Sequence, residues 1–323
     1  MIRVAEPVRR ALAEGRPVVA LESSLIAHGL PRPANLQTAL AMEAAVRDGG
    51  AVPATIGVIG GRPTIGLSAA ELELLATHPE VGKASTRDLA VLVARGAHGA
   101  TTVAATLVLM ARAGLQVLAT GGTGGVHRDV ESTFDISADL TELARRRAMV
   151  VCSGAKAILD LGRTLELLET LGVPVLGLQT DELPAFFATA SGLPVTARVA
   201  DAAEAAAIVR ARWRLDLDGG VLLAVPPPAA EALGAAEAAA EVEAALAQAE
   251  AAGVRGREVT PYLLSRMVDL TDGRSLAANR ALLVNNARVA AAAAAALAGT
   301  DDRRPRTGTS VVGRHSPKER RTP

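Results

Sequence analysis

The sequence predicts one three-layer α/β/α domain over residues 1–298, built on a mixed, mostly parallel sheet. Three observations predict it. Short apolar runs alternate with longer segments whose apolar residues recur at helical spacing. PVVAL (17–21), MVVC (149–152) and VLLAV (221–225) carry no polar interruption, as expected of strands buried on both faces. Polar motifs follow these runs directly, which places them at the carboxyl edge of a sheet, where open α/β folds bind ligands.

Composition narrows the function classes. Half of the 323 residues are hydrophobic and only 2% aromatic, so the core is built of Ala, Val and Leu. Lys+Arg and Asp+Glu both number 34. That balance argues against a nucleic-acid binder. One cysteine excludes an internal disulfide framework and a cysteine-rich zinc site. With five histidines, a metal is expected to have oxygen ligands. Glu14, Arg16 and Pro17 interrupt the N-terminal apolar pattern, so no signal-peptide core is expected. The longest charge-free apolar run, Val289 to Ala298, is too short to span a membrane. These features predict a cytoplasmic protein with a small-molecule substrate, no nucleic-acid partner and no membrane partner.

In chain order, Pro7–Glu14 reads as a short helix ended by Gly15, and Pro17–Leu21 as a buried strand running into Glu22-Ser23-Ser24. Glu22 is either a functional carboxylate at the strand edge or a cap on the next turn. Asn35–Gly49 is a helix, Pro53–Ile59 a strand, and Gly60-Gly61-Arg62 a tight turn. Ser68 opens a helix through a capping box to Glu71. Val81–Asp88 reads as a polar loop in which Lys83 and Arg87 are phosphate ligands or solvated surface charges. Small residues from Gly99 to Ala104 lead into a helix ending at Ala113. Helices are expected at Leu165–Leu171, Asp201–Trp213, Ala229–Ala252 and Thr260–Thr271, and a last one from Ser275; strands are expected at Pro174–Leu178 and Leu193–Val199. Residues 299–323 carry seven Lys/Arg without aromatics or periodicity and are expected to be a disordered tail.

The stretch from Ala119 to Asp160 holds the densest chemistry. Four glycines surround Thr123 after the apolar Val117–Ala119, and such a turn lets backbone N–H groups approach an anion. His127 and Arg128 follow it, as phosphate ligands or as a solvated surface pair. Asp135 and Asp139 flank Ser137. One aspartate is readily explained as a helix cap; the second could hold a hard divalent cation through waters. Lys156 leaves the strand Met149–Cys152 through Ser153-Gly154-Ala155 and is expected to enter a helix. Partly apolar surroundings disfavour an ammonium, and a neutral amine can form a Schiff base; a plain surface lysine fits the position too. Asn279, Asn285 and Asn286 are unusual inside a helix, and either ligand binding or helix-to-helix hydrogen bonding would explain them.

LESSLIAHGLPRPAN, VPATIGVIGG, GATTVAAT, ATGGTGGVHR, TFDISADLTELAR, VVCSGAKAILD, GVPVLGLQTDELPAF and NRALLVNNAR occur in that order. Together they resemble the pseudouridine-5'-phosphate glycosidase family, also called indigoidine synthase A-like, from about residue 3 to 298. The resemblance implies reversible C–C cleavage of pseudouridine 5'-phosphate to uracil and ribose 5-phosphate, a divalent cation (usually manganese) and a homotrimer. By motif it makes Glu22 the proton donor, Lys156 the nucleophile and Asp135 the metal ligand. Lys83, Val103, Ser137, Ala138 and Asp139 fall on substrate-binding positions; His127 and Asn279 join them as candidates. Ser24 stands where Thr is expected, and Thr123 where an aliphatic residue is usual, which bears on the phosphate pocket.

That chemistry suits the residues. Ordinary glycosidases protonate a leaving oxygen or nitrogen and use two carboxylates. C5 of uracil has no lone pair to protonate, so a lysine imine at C1' of ring-opened ribose offers another route. Two alternatives use overlapping parts: a Schiff-base aldolase or lyase acting on another sugar phosphate, and a non-catalytic sugar-phosphate sensor that needs neither Lys156 nor Glu22.

Overall fold

The computed structural model describes residues 1–254 and 259–299. Its strands are β1 (Arg3–Val4), β2 (Val18–Leu21), β3 (Val52–Ile59), β4 (Arg62–Ile65), β5 (Gly82–Ala84), β6 (Gly99–Thr101), β7 (Val117–Ala119), β8 (Met149–Cys152), β9 (Val175–Leu178), β10 (Ala197–Val199) and β11 (Val221–Ala224). The main sheet runs β1-β4-β3-β2-β7-β8-β11-β9-β10. From β3 through β10 every neighbour is parallel. The β3–β4 hairpin and the pairing of β6 with β3 are antiparallel, which makes the sheet mixed.

Helices cover both faces: α1 (Glu6–Ala13), α2 (Ala34–Asp48), α3 (Ala69–Thr77), α4 (Leu89–Arg95), α5 (Val103–Arg112), α6 (Val130–Thr133), α7 (Ala138–Arg145), α8 (Leu161–Thr170), α9 (Ala202–Arg214), α10 (Ala235–Ala251), α11 (Val259–Leu270) and α12 (Arg274–Ala298). Side chains alternate across a strand, and β2 shows the result. Val19 and Leu21 enter one apolar cluster with residues of α2, α9, α10 and α12; Val18 and Ala20 enter the other with residues of α1, α5 and α7. Two cores on opposite faces of one sheet are the three layers that the β-then-α alternation predicts.

Several boundaries differ from the sequence reading. Lys83 lies on a strand, β5, which pairs with β6, rather than in a loop. The strand expected at 193–199 shortens to Ala197–Val199. Helix α8 begins at Leu161, where the Asp160 side chain accepts from the Arg163 N–H at 2.9 Å. The helix expected from Ala229 starts at Ala235, because Glu231 and Ala232 first turn back on the Pro228 carbonyl. The capping box at Ser68–Glu71 is present. By length and hydropathy, α12 would be long enough to cross a membrane, but half of its most apolar window is buried in the fold. It packs on α2, α9 and β7, as a core helix does. The expected tail lies outside the described residues, apart from Gly299.

Candidate active site

At the carboxyl ends of β2, β7 and β8 the chain opens a cavity of about 1150 Å³. Strand β2 is the turning point of the sheet: β3, its successor in the chain, lies on one side and β7 on the other. Ligands of open α/β sheets bind at such a crevice. Glu22, Lys83, His127, Asp135, Ser137, Ala138, Asp139, Lys156 and Asn279 all line this one cavity. Val103 does not. Its side chain, in the first turn of α5, is fully buried in the core, while the preceding Thr102 lines the cavity.

Glu22 leaves β2 and is 4% exposed. The Thr120 hydroxyl donates to its Oε1, and the Ser24 hydroxyl to Oε2 at 2.5 Å. Burial pushes its carboxyl above the ordinary value, and this outweighs the opposing charge of Lys156 and the two hydroxyl bonds; the Asp139 charge raises it further. Ser24, which departs from the expected Thr, therefore keeps the hydroxyl that the carboxylate uses. Ser23 anchors the segment from below, donating to the Ile56 carbonyl at 2.6 Å and accepting from the Thr101 N–H at 2.8 Å.

Lys156 sits in an irregular loop between β8 and α8, not in the helix expected there. The loop is pinned by backbone bonds: Thr123 N–H to the Gly154 carbonyl (3.1 Å), Lys156 N–H to the Thr123 carbonyl (3.1 Å) and Asp160 N–H to the Val126 carbonyl (2.9 Å). Gly154 has φ +83°, and a Cβ there would lie 2.5 Å from the Pro184 carbonyl. Cys152, beneath this loop, is fully buried, and burial pushes its thiol up to about 12. It is a core residue rather than a nucleophile.

The glycine turn lines the cavity through Gly121, Gly122 and Gly124, and it also makes room for other parts of the fold. None of Gly121, Gly122, Gly124 and Gly125 has positive φ. A Cβ on Gly124 would lie 2.1 Å from Ser137 Oγ, and one on Gly122 would lie 2.7 Å from the Phe186 ring. The glycines admit the protein's own side chains, and at Gly124 one of these is an anion, Asp139. Its Oδ2 accepts from the Gly124 N–H and its Oδ1 from the Ala104 N–H in the first turn of α5, both at 2.8 Å. Asp139 thus caps a neighbouring helix instead of its own, while Ser137 caps α7. Thr123, the other departure, is 1% exposed and does not line the cavity.

Asp135 is half-buried at the cavity wall, with His127 Nε2 3.7 Å from its Oδ2. Among the described residues no cluster of three or more His, Cys, Asp or Glu could hold a metal ion. A carboxylate and an imidazole together suit a divalent ion such as manganese, with water completing a loose coordination sphere.

A family model described as "Indigoidine synthase A like protein" matches residues 7–296. The chain belongs to this family. A relative from Methylobacterium nodulans named pseudouridine-5'-phosphate glycosidase is 53% identical over 322 residues, covering 100% of the chain and 96% of the relative. One of the same name from Deinococcus radiodurans is 56% identical, covering 89% and 92%. Among solved structures, the prealnumycin C-glycosynthase AlnA in complex with ribulose 5-phosphate superposes with a TM-score of 0.85 at 44% identity, covering 92% of the chain and 97% of that protein. An indigoidine synthase A-like protein from Thermotoga maritima superposes with a TM-score of 0.83 at 36% identity, with the same coverage. The family's fold is therefore the fold described above.

Sequence reasoning missed Thr120 and Phe186. Thr120 follows the apolar Val117–Ala119 as Glu22 follows Val18–Leu21, so the same strand-edge rule finds it. A second signal was also legible: the sequence has only three lysines, Lys83, Lys156 and Lys318. Two of them line the cavity, while arginine supplies most of the surface cations.

Proposed function

We propose that the protein catalyses the reversible cleavage of pseudouridine 5'-phosphate to uracil and ribose 5-phosphate, with Lys156 as covalent nucleophile and Glu22 as proton donor. The observation that carries this reading is the convergence of a buried carboxyl and a lysine, from two strand ends, on one cavity. The names of the relatives support the substrate, and the complex of AlnA with ribulose 5-phosphate supports C-glycosidic chemistry on a pentose phosphate.

In the cleavage direction the C1'–O4' bond breaks, O4' takes up a proton, and the Lys156 amine bonds to C1'. The C1'–C5 bond then breaks. Its electron pair stays with C5, which takes a proton from Glu22, while the nitrogen lone pair forms an iminium at C1'. Water hydrolyses the iminium to the aldehyde of ribose 5-phosphate and frees the lysine. Burial favours the protonated Glu22 that this donation requires. Lys83, the Ser137–Asp139 turn, Asn279 and Phe186 all line this cavity; we assign Lys83 and the turn to the phosphate and sugar hydroxyls, and Asn279 and Phe186 to the base. Asp135 with His127 would hold the divalent cation, which when bound supplies positive charge to anionic substrate oxygens. We place the enzyme in the cytoplasm as a homotrimer, to be checked by sedimentation.

The test is uracil release, followed by absorbance, with and without manganese and chelator. Lys156→Ala and Lys156→Arg should both lose turnover while remaining folded. Borohydride added during turnover should trap a ribose phosphate adduct on the Lys156 peptide. An adduct on Lys83, or full turnover by Lys156→Ala, would reject the mechanism.

A further inference from the structure

Asn286 lies on the buried face of α12, fully inaccessible and outside the cavity lining. Its Nδ2 donates to the Thr120 carbonyl at 2.9 Å and to Ser153 Oγ at 3.1 Å. The Ser153 hydroxyl is also 3.4 Å from Asn286 Oδ1, in donating geometry. Thr120 is the first residue beyond β7, and Ser153 the first beyond β8. The two strands are still tied there, by Thr120 N–H to the Val151 carbonyl (3.0 Å) and Ser153 N–H to the Gly121 carbonyl (2.8 Å). Beyond the strands they stay tied once more, where Thr123 bonds with Gly154 and Lys156, as β7 continues into the glycine turn and β8 into the Lys156 loop. One amide thus clasps both chains from α12 where they leave the strands. Thr120 passes the constraint to Glu22 through its hydroxyl, and Ser153 lies three residues before Lys156.

We propose that Asn286 is a positioning residue for the proposed reaction, a strut that sets the placement of Glu22 relative to Lys156 by holding Thr120 and Ser153 together. The inference rests on the roles proposed above for those two side chains. An amide suits the position because its N–H₂ carries two donors, one for each chain, and its oxygen can accept from the serine. A buried polar group inside an Ala-rich helix costs stability unless it is satisfied, and here the partners are the two segments that carry the reacting groups. Asn279, seven residues earlier on the same helix, reaches the cavity itself, so α12 contributes one amide to the cavity wall and one beneath it.

The consequence for Glu22 has a sign. Without Asn286 the Thr120 carbonyl loses its donor, Thr120 is held only by its N–H bond to the Val151 carbonyl and its neighbours, and the hydroxyl bond that favours the ionised form of Glu22 weakens. Glu22 should then titrate at higher pH. Asn286→Ala and Asn286→Leu test this, one leaving room for water and one filling it. Infrared difference titration of the Glu22 carboxyl, assigned with Glu22→Gln, needs no substrate. It should move up in pH in both Asn286 variants and in Thr120→Val. The turnover number for pseudouridine 5'-phosphate should fall about tenfold to a hundredfold per folded enzyme, with its Glu22 limb moved the same way and KM little changed. Combining Asn286→Ala with Thr120→Val should add little to either single change. Thr120→Ser, which keeps the hydroxyl, should restore the wild-type titration. A purely structural role would lower the melting temperature and leave titration and pH profile unmoved, and that result, or additive effects in the double variant, would overturn the proposal. Absence of turnover in the wild type would reject the proposed reaction instead, while the infrared titration would still decide on the strut.

Discussion

Replacing Asp139 by Asn should weaken the fold by several kilocalories, although the change is isosteric and the residue lines the cavity. Asp139 is 5% exposed, and each carboxylate oxygen accepts a backbone N–H at 2.8 Å, from Ala104 and from Gly124. A hydrogen bond to a charged group contributes about 1.5–3 kcal/mol, and stranding a buried donor costs about 1–3 kcal/mol. Asparagine keeps one acceptor oxygen and turns an N–H₂ toward the second backbone N–H, so one bond is lost and one donor is stranded. Loss of the negative charge at the start of α5 adds roughly 0.3–1 kcal/mol. Because the lost bond and the stranded donor partly describe the same event, the expected total is about 2–4 kcal/mol. At roughly 2 °C per kcal/mol for a domain of this size, the melting temperature should fall by about 4–8 °C. Thermal unfolding followed by circular dichroism reads this directly. A melting temperature within about 1 °C of wild type would refute the reasoning. Lost activity at unchanged stability would mean that the carboxylate acts on the ligand and that its two backbone bonds contribute nothing to the fold.

Two further outcomes follow from buried groups near the site. The raised carboxyl of Glu22 means that its protonated form is favoured on folding: the associated stability is fully present below the ordinary value of 4.5 and is lost as pH rises through the folded value. Glu22→Gln should therefore melt higher than wild type at pH 8, by a margin that shrinks toward pH 4.5, while losing turnover; a pH-independent or negative difference would reject the sign. Thr123 Oγ1 is buried and has no hydrogen-bond partner among the described residues. Thr123→Val, of the same shape, should be neutral or stabilising by about 1 kcal/mol with activity retained, and a clear loss in urea titration would show that the hydroxyl is bonded.

The layered α/β architecture was legible in the chain: PVVAL, MVVC and VLLAV are apolar, Val-rich and too short for buried helices, as strands with both faces covered are, and helical spacing fills the intervals between them. The sequence also placed Glu22 and Lys156 at strand exits, and it carried the motifs of the family. The tertiary structure decided what those residues touch. The four glycines around Thr123 read as an anion cradle for a ligand; three of them do line the cavity, but Gly122 and Gly124 also admit Phe186, Ser137 and the carboxylate of Asp139, because close approach by protein and by ligand make the same demand on a glycine. Lys156 lies in a loop rather than a helix, because its N–H donates to the Thr123 carbonyl, more than thirty residues away in the chain. Asp139 caps α5 rather than its own helix, and Asn286 serves β7 and β8 from α12. Each is a pairing between distant parts of the chain. Periodicity and capping rules act within a few residues, so they fix the elements and their ends; the sheet order, which sets β2 beside β7 and β7 beside β8, determines which of those ends meet.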